Sequence, residues 1–237
     1  MIDGHRILVV VPARGGSQGV KLKNLREVGG VPLVARVGAV VRALSLIDRA
    51  VVSTDHEEIA RVAESSGLEA PFRRPESLSG PRIGDLEVLT HATEEMERRD
   101  GCVYDVIVML QPTSPSRTPE HVERTIHRLI EEKLDATWTV SETDSKAHPL
   151  KQMTISGDGA LGLYDQAGAT IIARQQLQPV YHRNGIAYAF RRKTLLEDKT
   201  ILPARTGAIV IEGEVANIDT ELDLLWANFL LERAEKI

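Results

Sequence analysis

Ile7-Leu8-Val9-Val10-Val11 is an unbroken apolar, largely β-branched run, the pattern of a strand buried on both faces at the centre of a parallel sheet. A glycine-rich stretch follows, and Pro32 to Leu46 then carries apolar residues at helical spacing. Arg49 to Thr54 reads as a second strand. His56 to Ser66 reads as a helix, with Asp55 as its N-cap and Gly67 as its stop. The alternation continues with helix Glu87–Arg99, strand Val106–Leu110, helix Pro119–Glu132 capped by Thr118, and strand Ala136–Val140. It breaks between Ser141 and His182, where short alternating pieces and a Gly157-Asp158-Gly159 turn predict a hairpin-like excursion. Strands at Gly185–Phe190 and Thr206–Glu212 return to the core. A last helix over Thr220–Glu235 is expected to bury Leu222, Leu225, Trp226, Phe229 and Leu230. Strands alternating with amphipathic helices predict an α/β fold: a doubly wound, mostly parallel sheet with ligands at the carboxyl ends of its strands.

Composition narrows the class. With 237 residues, 42% hydrophobic and 27% charged, the chain reads as a single domain, 1–237, with 141–182 as an appendage. A net charge of -5 leaves no basic footprint for nucleic acid. No apolar run reaches membrane-spanning length, and the N-terminus lacks a signal-peptide pattern, so a cytoplasmic protein is expected. The single cysteine, Cys102, excludes an intrachain disulfide and a thiolate metal cluster, and is expected to pack near a strand start.

The candidate chemistry begins directly after the first strand, at Pro12-Ala13-Arg14-Gly15-Gly16-Ser17-Gln18-Gly19. Glycines there let the backbone turn sharply and aim several N–H groups at one anion, and Arg14, Lys21 and Lys23 add positive charge. It is neither a Walker A loop nor a dinucleotide fingerprint, and a solvent-facing tight turn is the alternative. Further phrases follow in order: Lys23-Asn24, Val52-Ser53-Thr54-Asp55, Arg74-Pro75, Leu110-Gln111-Pro112-Thr113-Ser114-Pro115 with Arg117-Thr118, His148-Pro149-Leu150-Lys151, Arg174-Gln175-Gln176-Leu177, Asn184-Gly185 and Ile218-Asp219-Thr220-Glu221-Leu222-Asp223.

This ordered set resembles the acylneuraminate cytidylyltransferases, or CMP-sialic acid synthetases, over nearly the whole chain. The resemblance implies a Rossmann-like nucleotidyltransferase fold, transfer of CMP from CTP to an acidic α-keto sugar such as a sialic or related nonulosonic acid, and a Mg²⁺ cofactor. It also implies a homodimer in which the 141–182 excursion exchanges contacts. Carried over position by position, Ala13, Arg14, Gly15, Ser17, Lys23, Asn24, Thr54, Arg74 and Gln111 are expected on the nucleotide. Gln111, Lys151, Arg174, Gln175 and Asn184 are expected on the sugar, some from the partner subunit. Arg14, Lys23 and Asp219 are the catalytic candidates, with Asp219 and Asn217 as metal ligands. Asp219 also fits an N-cap of the final helix, and Asp223 a helix-start charge.

The chain departs from the family at several points. Gln18 stands where relatives carry a lysine, which raises the expectation that Lys21 reaches into the same space. Asn217 replaces one carboxylate of an Asp-Ile-Asp phrase, and the stretches Ser79 to Asp85 and Lys199 to Leu202 differ. The sequence is also compatible with two other readings: nucleotidyl transfer to another acidic or phosphorylated sugar, and a nucleotide-binding module without catalysis.

Overall fold

The structure is a computed structural model and describes Ile2 and residues 4–234. In chain order the elements are β1 (Ile7–Pro12), β2 (Glu27–Val28), β3 (Val31–Pro32), α1 (Leu33–Arg42), β4 (Arg49–Ser53), α2 (Glu57–Ser65), α3 (Asp85–Asp100) and β5 (Val106–Met109). Then come α4 (Pro119–Glu131), β6 (Ala136–Glu142), β7 (Met153–Ile155), β8 (Leu161–Leu163), β9 (Tyr181–Arg191), α5 (Arg192–Leu196), β10 (Thr206–Val210) and α6 (Glu221–Ala234). Short 3-10 turns connect several of them.

Six strands form the main sheet in the order β10-β6-β9-β5-β1-β4. β1 pairs in parallel with both β4 and β5, and β10 with β6. β9 runs antiparallel to β5 and β6. The expected doubly wound, mostly parallel α/β sheet is therefore present, with one strand reversed. Ile7 to Val11 are fully buried because layers cover both faces. Ile7, Val9 and Val11 pack with residues of α1, α2 and α4, while Leu8 and Val10 pack with α3. β7 and β8 pair only with each other and make the hairpin expected in the 141–182 excursion. No described helix is long and apolar enough to cross a membrane.

Two expectations about helix ends and faces are corrected. The N-cap of α2 is His56, not Asp55, and the Asp55 carboxylate accepts a hydrogen bond from the Gly15 N–H instead. On α6, Leu222, Leu225, Trp226 and Phe229 are exposed, while Leu224 and Ala227 are buried and Leu230 is partly so. The helix is apolar on both sides, so periodicity alone did not select the inward face. Asn228 helps to select it, because its side-chain oxygen accepts from the Gly29 N–H at 2.8 Å and its amide donates to the Leu224 carbonyl. Glu235, expected as the last residue of this helix, lies outside the described residues. Thr118 caps α4 as expected, with His121 returning the bond in a capping box. Cys102 is half-buried against the α3 side of the core.

The turn after β5 is held from beneath by Arg117. Its guanidinium donates to the carbonyls of Gln111, Gly185 and Ile186, the Gly185 bond being 2.8 Å. Burial draws its pKa down to about 9, which leaves it cationic at neutral pH. Arg117→Met strips several buried carbonyls of their donor. Leaving such groups unsatisfied should lower stability by about 3 kcal/mol, a fall in Tm of roughly 6–12 °C for a domain of this size. Thermal unfolding followed by circular dichroism checks this.

Candidate active site

A cavity of about 550 Å³ opens at the carboxyl ends of the central strands, the position expected for a ligand in this class of sheet. One wall is the loop after β1, with Pro12, Arg14, Ser17, Gln18 and Gly19 together with Lys23 and Asn24. Opposite lie Arg74 and the segment leading into α3, from Gly80 to Asp85. Gln111, Pro112 and Thr113 form the floor at the end of β5. Arg183 of β9 and the Asn217 and Asp219 pair complete the lining.

The loop is fastened at several points. The Ala13 N–H donates to the Ser53 carbonyl, Gly15 to Asp55, and the Asn24 amide to the Arg14 carbonyl at 2.9 Å. Arg14 reaches across and donates to the Gly80 carbonyl at 2.8 Å. Arg74 is buried, and its guanidinium donates to the side chain and carbonyl of Ser53. Burial, with the nearby Arg14 charge assisting, lowers its pKa to about 10, so it stays charged at neutral pH. A fixed cation on this wall suits an anionic or carbonyl-bearing ligand.

The acidic side of the site is set by the strand-like segment before α6. Ile218 is fully buried and its N–H donates to the Thr113 carbonyl at 2.9 Å. Its neighbours Asn217 and Asp219 therefore turn outward together into the cavity. Lys23 donates from Nζ to the Ile218 carbonyl at 2.7 Å and to Asp219 Oδ1 at 2.8 Å. Asp219 is not the cap of α6. That role falls to Thr220 and Asp223, whose side chains and backbone N–H groups bond each other reciprocally. Asp223 is thus a helix-start charge, and Asp219 is left to the cavity.

Among the described residues no cluster of three or more His, Cys, Asp or Glu is placed to hold a metal. Asp219 and Asn217 offer two hard oxygen donors on one face. That set is too small for a metal cage. It does fit Mg²⁺, which binds through one or two carboxylates, phosphate oxygens and retained waters.

The expected site residues divide. Arg14, Ser17, Lys23, Asn24, Arg74, Gln111, Asn217 and Asp219 line the cavity together. Ala13 and Thr54 are buried beneath it, where the Thr54 hydroxyl accepts from the His56 N–H at 3.1 Å; Gly15 is part of the loop without lining the cavity. Asn184 is 1% exposed. Its amide bonds Ser141 and Thr139 and the Ile186 N–H, so it anchors β9 rather than facing the cavity. Lys151, Arg174 and Gln175 lie exposed in the excursion, away from this cavity within one chain. Lys21 is exposed and does not line the cavity, so the expectation that it takes over beside Gln18 finds no geometric support.

Sequence reasoning missed Asp85 and Arg183. Asp85 is the first residue of α3 and Arg183 lies immediately before the noted Asn184-Gly185 phrase. Their side chains meet at 3.5 Å within the cavity wall. Burial raises the Asp85 pKa, with Arg183 and Arg74 opposing the shift. Only the tertiary fold brings these two positions together.

The family model for cytidylyltransferases matches residues 8–237. The chain belongs to the cytidylyltransferase family. Among relatives of this cytidylyltransferase is the CMP-N,N'-diacetyllegionaminic acid synthase of Legionella pneumophila, 29% identical over 94% of both chains. The N-acylneuraminate cytidylyltransferase A of Danio rerio is 30% identical over 94% of this chain, which spans 49% of that longer protein. A solved CMP:2-keto-3-deoxy-manno-octonic acid synthetase complexed with CTP superposes with a TM-score of 0.70 at 16% identity, covering 97% of this chain and 99% of that one. That likeness establishes the shared fold.

Proposed function

We propose that this cytidylyltransferase moves CMP from CTP to a hydroxyl of an acidic α-keto sugar of the nonulosonic class, releasing pyrophosphate. The observation that carries the reading is the meeting, in one cavity, of the glycine-rich loop and Lys23–Asp219 on one wall with Arg74 and the Gly80–Asp85 segment on the other. Relatives named for legionaminic, pseudaminic and acylneuraminic acids support the acceptor class.

The reaction forms a bond from the acceptor oxygen to the α-phosphorus and breaks the bond from that phosphorus to the oxygen leading to the β-phosphate. Its demand is in-line placement and neutralisation of negative charge growing on the leaving group. In this reading the glycine-rich loop, Arg14 and Lys23 would meet that demand by facing the triphosphate, with Arg74 beside the nucleotide. Gln18 contributes an amide donor without charge, so the neutralising load falls on Lys23 and Arg14. Asp219, with Asn217 beside it, would hold Mg²⁺, which screens the phosphate oxygens when bound. Asp219→Asn is expected to raise the Mg²⁺ concentration giving half-maximal activity by roughly tenfold; a metal titration of the initial rate checks it.

The acceptor side is completed in our reading by a homodimer. Met153, Ile155, Leu161, Tyr164 and Ile172 stand exposed on the excursion, an apolar surface that a second copy would cover. Pairing there would carry Lys151, Arg174 and Gln175 toward the partner's cavity. Sedimentation equilibrium should return the dimer mass, and a folded, active monomer would count against the arrangement. A cytoplasmic setting accords with the need for free nucleoside triphosphate.

The function is tested by supplying Mg²⁺, each common nucleoside triphosphate and a panel of acidic sugars, and measuring pyrophosphate. Release confined to CTP with a nonulosonic acid supports the reading. Release with a phosphorylated sugar in place of that acid would replace it.

A further inference from the structure

Within one subunit, the acceptor end of the cavity holds a cation that the family phrases do not assign. The sheet order sets a line across the site: the glycine-rich loop leaves β1, Gln111 follows β5 beside it, and Arg183 stands on β9 beyond that. β9 is a firm platform at this point. Next to Arg183, Asn184 is tied to Thr139 and Ser141, and the Gly185 N–H donates to the Tyr188 hydroxyl at 2.6 Å. The guanidinium carbon lies 5.6 Å from the centre of the Trp138 ring, within cation–π range. Trp138 is itself packed against Tyr188, at 5.0 Å between centroids.

Arg183 is held but not used up. Its contact to Asp85 is a single approach of 3.5 Å, and its side chain is 52% exposed against 25% for Asp85. A guanidinium has five N–H donors, enough to keep a loose ion pair and still grip a second carboxylate with two parallel bonds. Asp85 does not cancel the site for an anion, because Arg74 lies near enough to act on the same carboxylate.

We propose that Arg183 is a specificity-determining residue that binds the carboxylate of the acceptor sugar inside the subunit's own cavity. The proposal rests on reading this cavity as the site of cytidylyl transfer to an acidic acceptor. It makes Arg183 the group that separates an acid from an uncharged sugar, while a residue such as Arg174, arriving from a partner subunit, would meet other parts of the acceptor.

Steady-state pyrophosphate release tests it, using the acceptor acid and its methyl ester with the wild type, Arg183→Met, Arg183→Lys and Arg174→Met. Methionine keeps a stem over Trp138 and removes the charge; lysine keeps the charge and loses the fork. Arg183→Met should raise the KM for the acid by roughly tenfold or more and leave the KM for CTP within about twofold. It should also erase most of the preference for acid over ester, with Arg183→Lys in between and Arg174→Met retaining that preference. An unchanged acceptor KM with the preference intact overturns the proposal. So does a parallel rise in the KM for CTP, or a preference lost in Arg174→Met and kept in Arg183→Met. If the wild type releases no pyrophosphate from CTP with any nonulosonic acid, the functional reading itself falls and takes the proposal with it. Matching melting curves confirm that the variants are folded.

Discussion

Replacing Lys23 by methionine is expected to lower kcat by roughly 10²–10³-fold, the range seen when one preorganised donor to developing charge is removed. Lys23 is firmly placed in the cavity wall. Its side chain is only 16% exposed, and its ammonium is fixed between the Ile218 carbonyl at 2.7 Å and Asp219 at 2.8 Å. Gln18 in the same loop carries no charge, and among the described residues no second lysine lines the cavity. Methionine preserves the stem and so isolates the charge. The defect should lie in kcat more than in the KM for CTP, because in the proposed reaction the charge that Lys23 would offset grows on the leaving pyrophosphate. Initial rates at saturating CTP separate the two, and a loss confined to KM would mean that Lys23 serves ground-state binding only.

The second large effect is steric. A Cβ added to Gly19 would sit 2.1 Å from the backbone carbonyl oxygen of Asp219. That oxygen belongs to a segment pinned through Ile218 to Thr113, so it cannot simply yield. Gly19→Ala must therefore push the glycine-rich loop away from Asp219 and part the Lys23–Asp219 contact. A displacement of about 1 Å at reacting groups costs on the order of 10²-fold in rate, and that is the expected fall in kcat/KM. Gly16 is the internal control: a Cβ there meets nothing within 4 Å. Gly16→Ala should keep activity within about threefold and stability within roughly 1 kcal/mol. Equal loss in both variants would show that loop flexibility, rather than the Gly19–Asp219 approach, is what matters.

Much of this site could be read from the chain because its parts are local. A buried β-branched strand running into glycines produces a loop at a sheet's carboxyl edge, and Arg14, Ser17, Lys23 and Asn24 travel with it. Gln111 was legible for the same reason, as the start of the turn that follows β5. What was not legible depends on the assembled fold. Arg183 and Asp85 are 98 positions apart and are joined by the reversed strand β9 and the start of α3. Asn184 has the sequence character of a turn or ligand residue, yet the register of β9 against β6 places it inside, with its amide satisfied. For α6, five large apolar residues suggested one face, four of them are exposed, and the hydrogen bonds of Asn228 help to hold another. The Asp55 expectation failed by a small margin. The carboxylate does take a backbone N–H, but from the glycine-rich loop, which links the end of β4 to the site rather than to α2.

In the proposed reaction the cavity joins CMP to an acidic sugar. Phosphorus-31 NMR of the protein with CTP, Mg²⁺ and a nonulosonic acid, followed by mass spectrometry of the product, addresses it most directly. The expected result is one new phosphodiester signal, pyrophosphate in equal amount, and a product mass equal to the acceptor plus CMP less water. CTP left intact across the acid panel, or consumed only to CDP or free CMP, would contradict it.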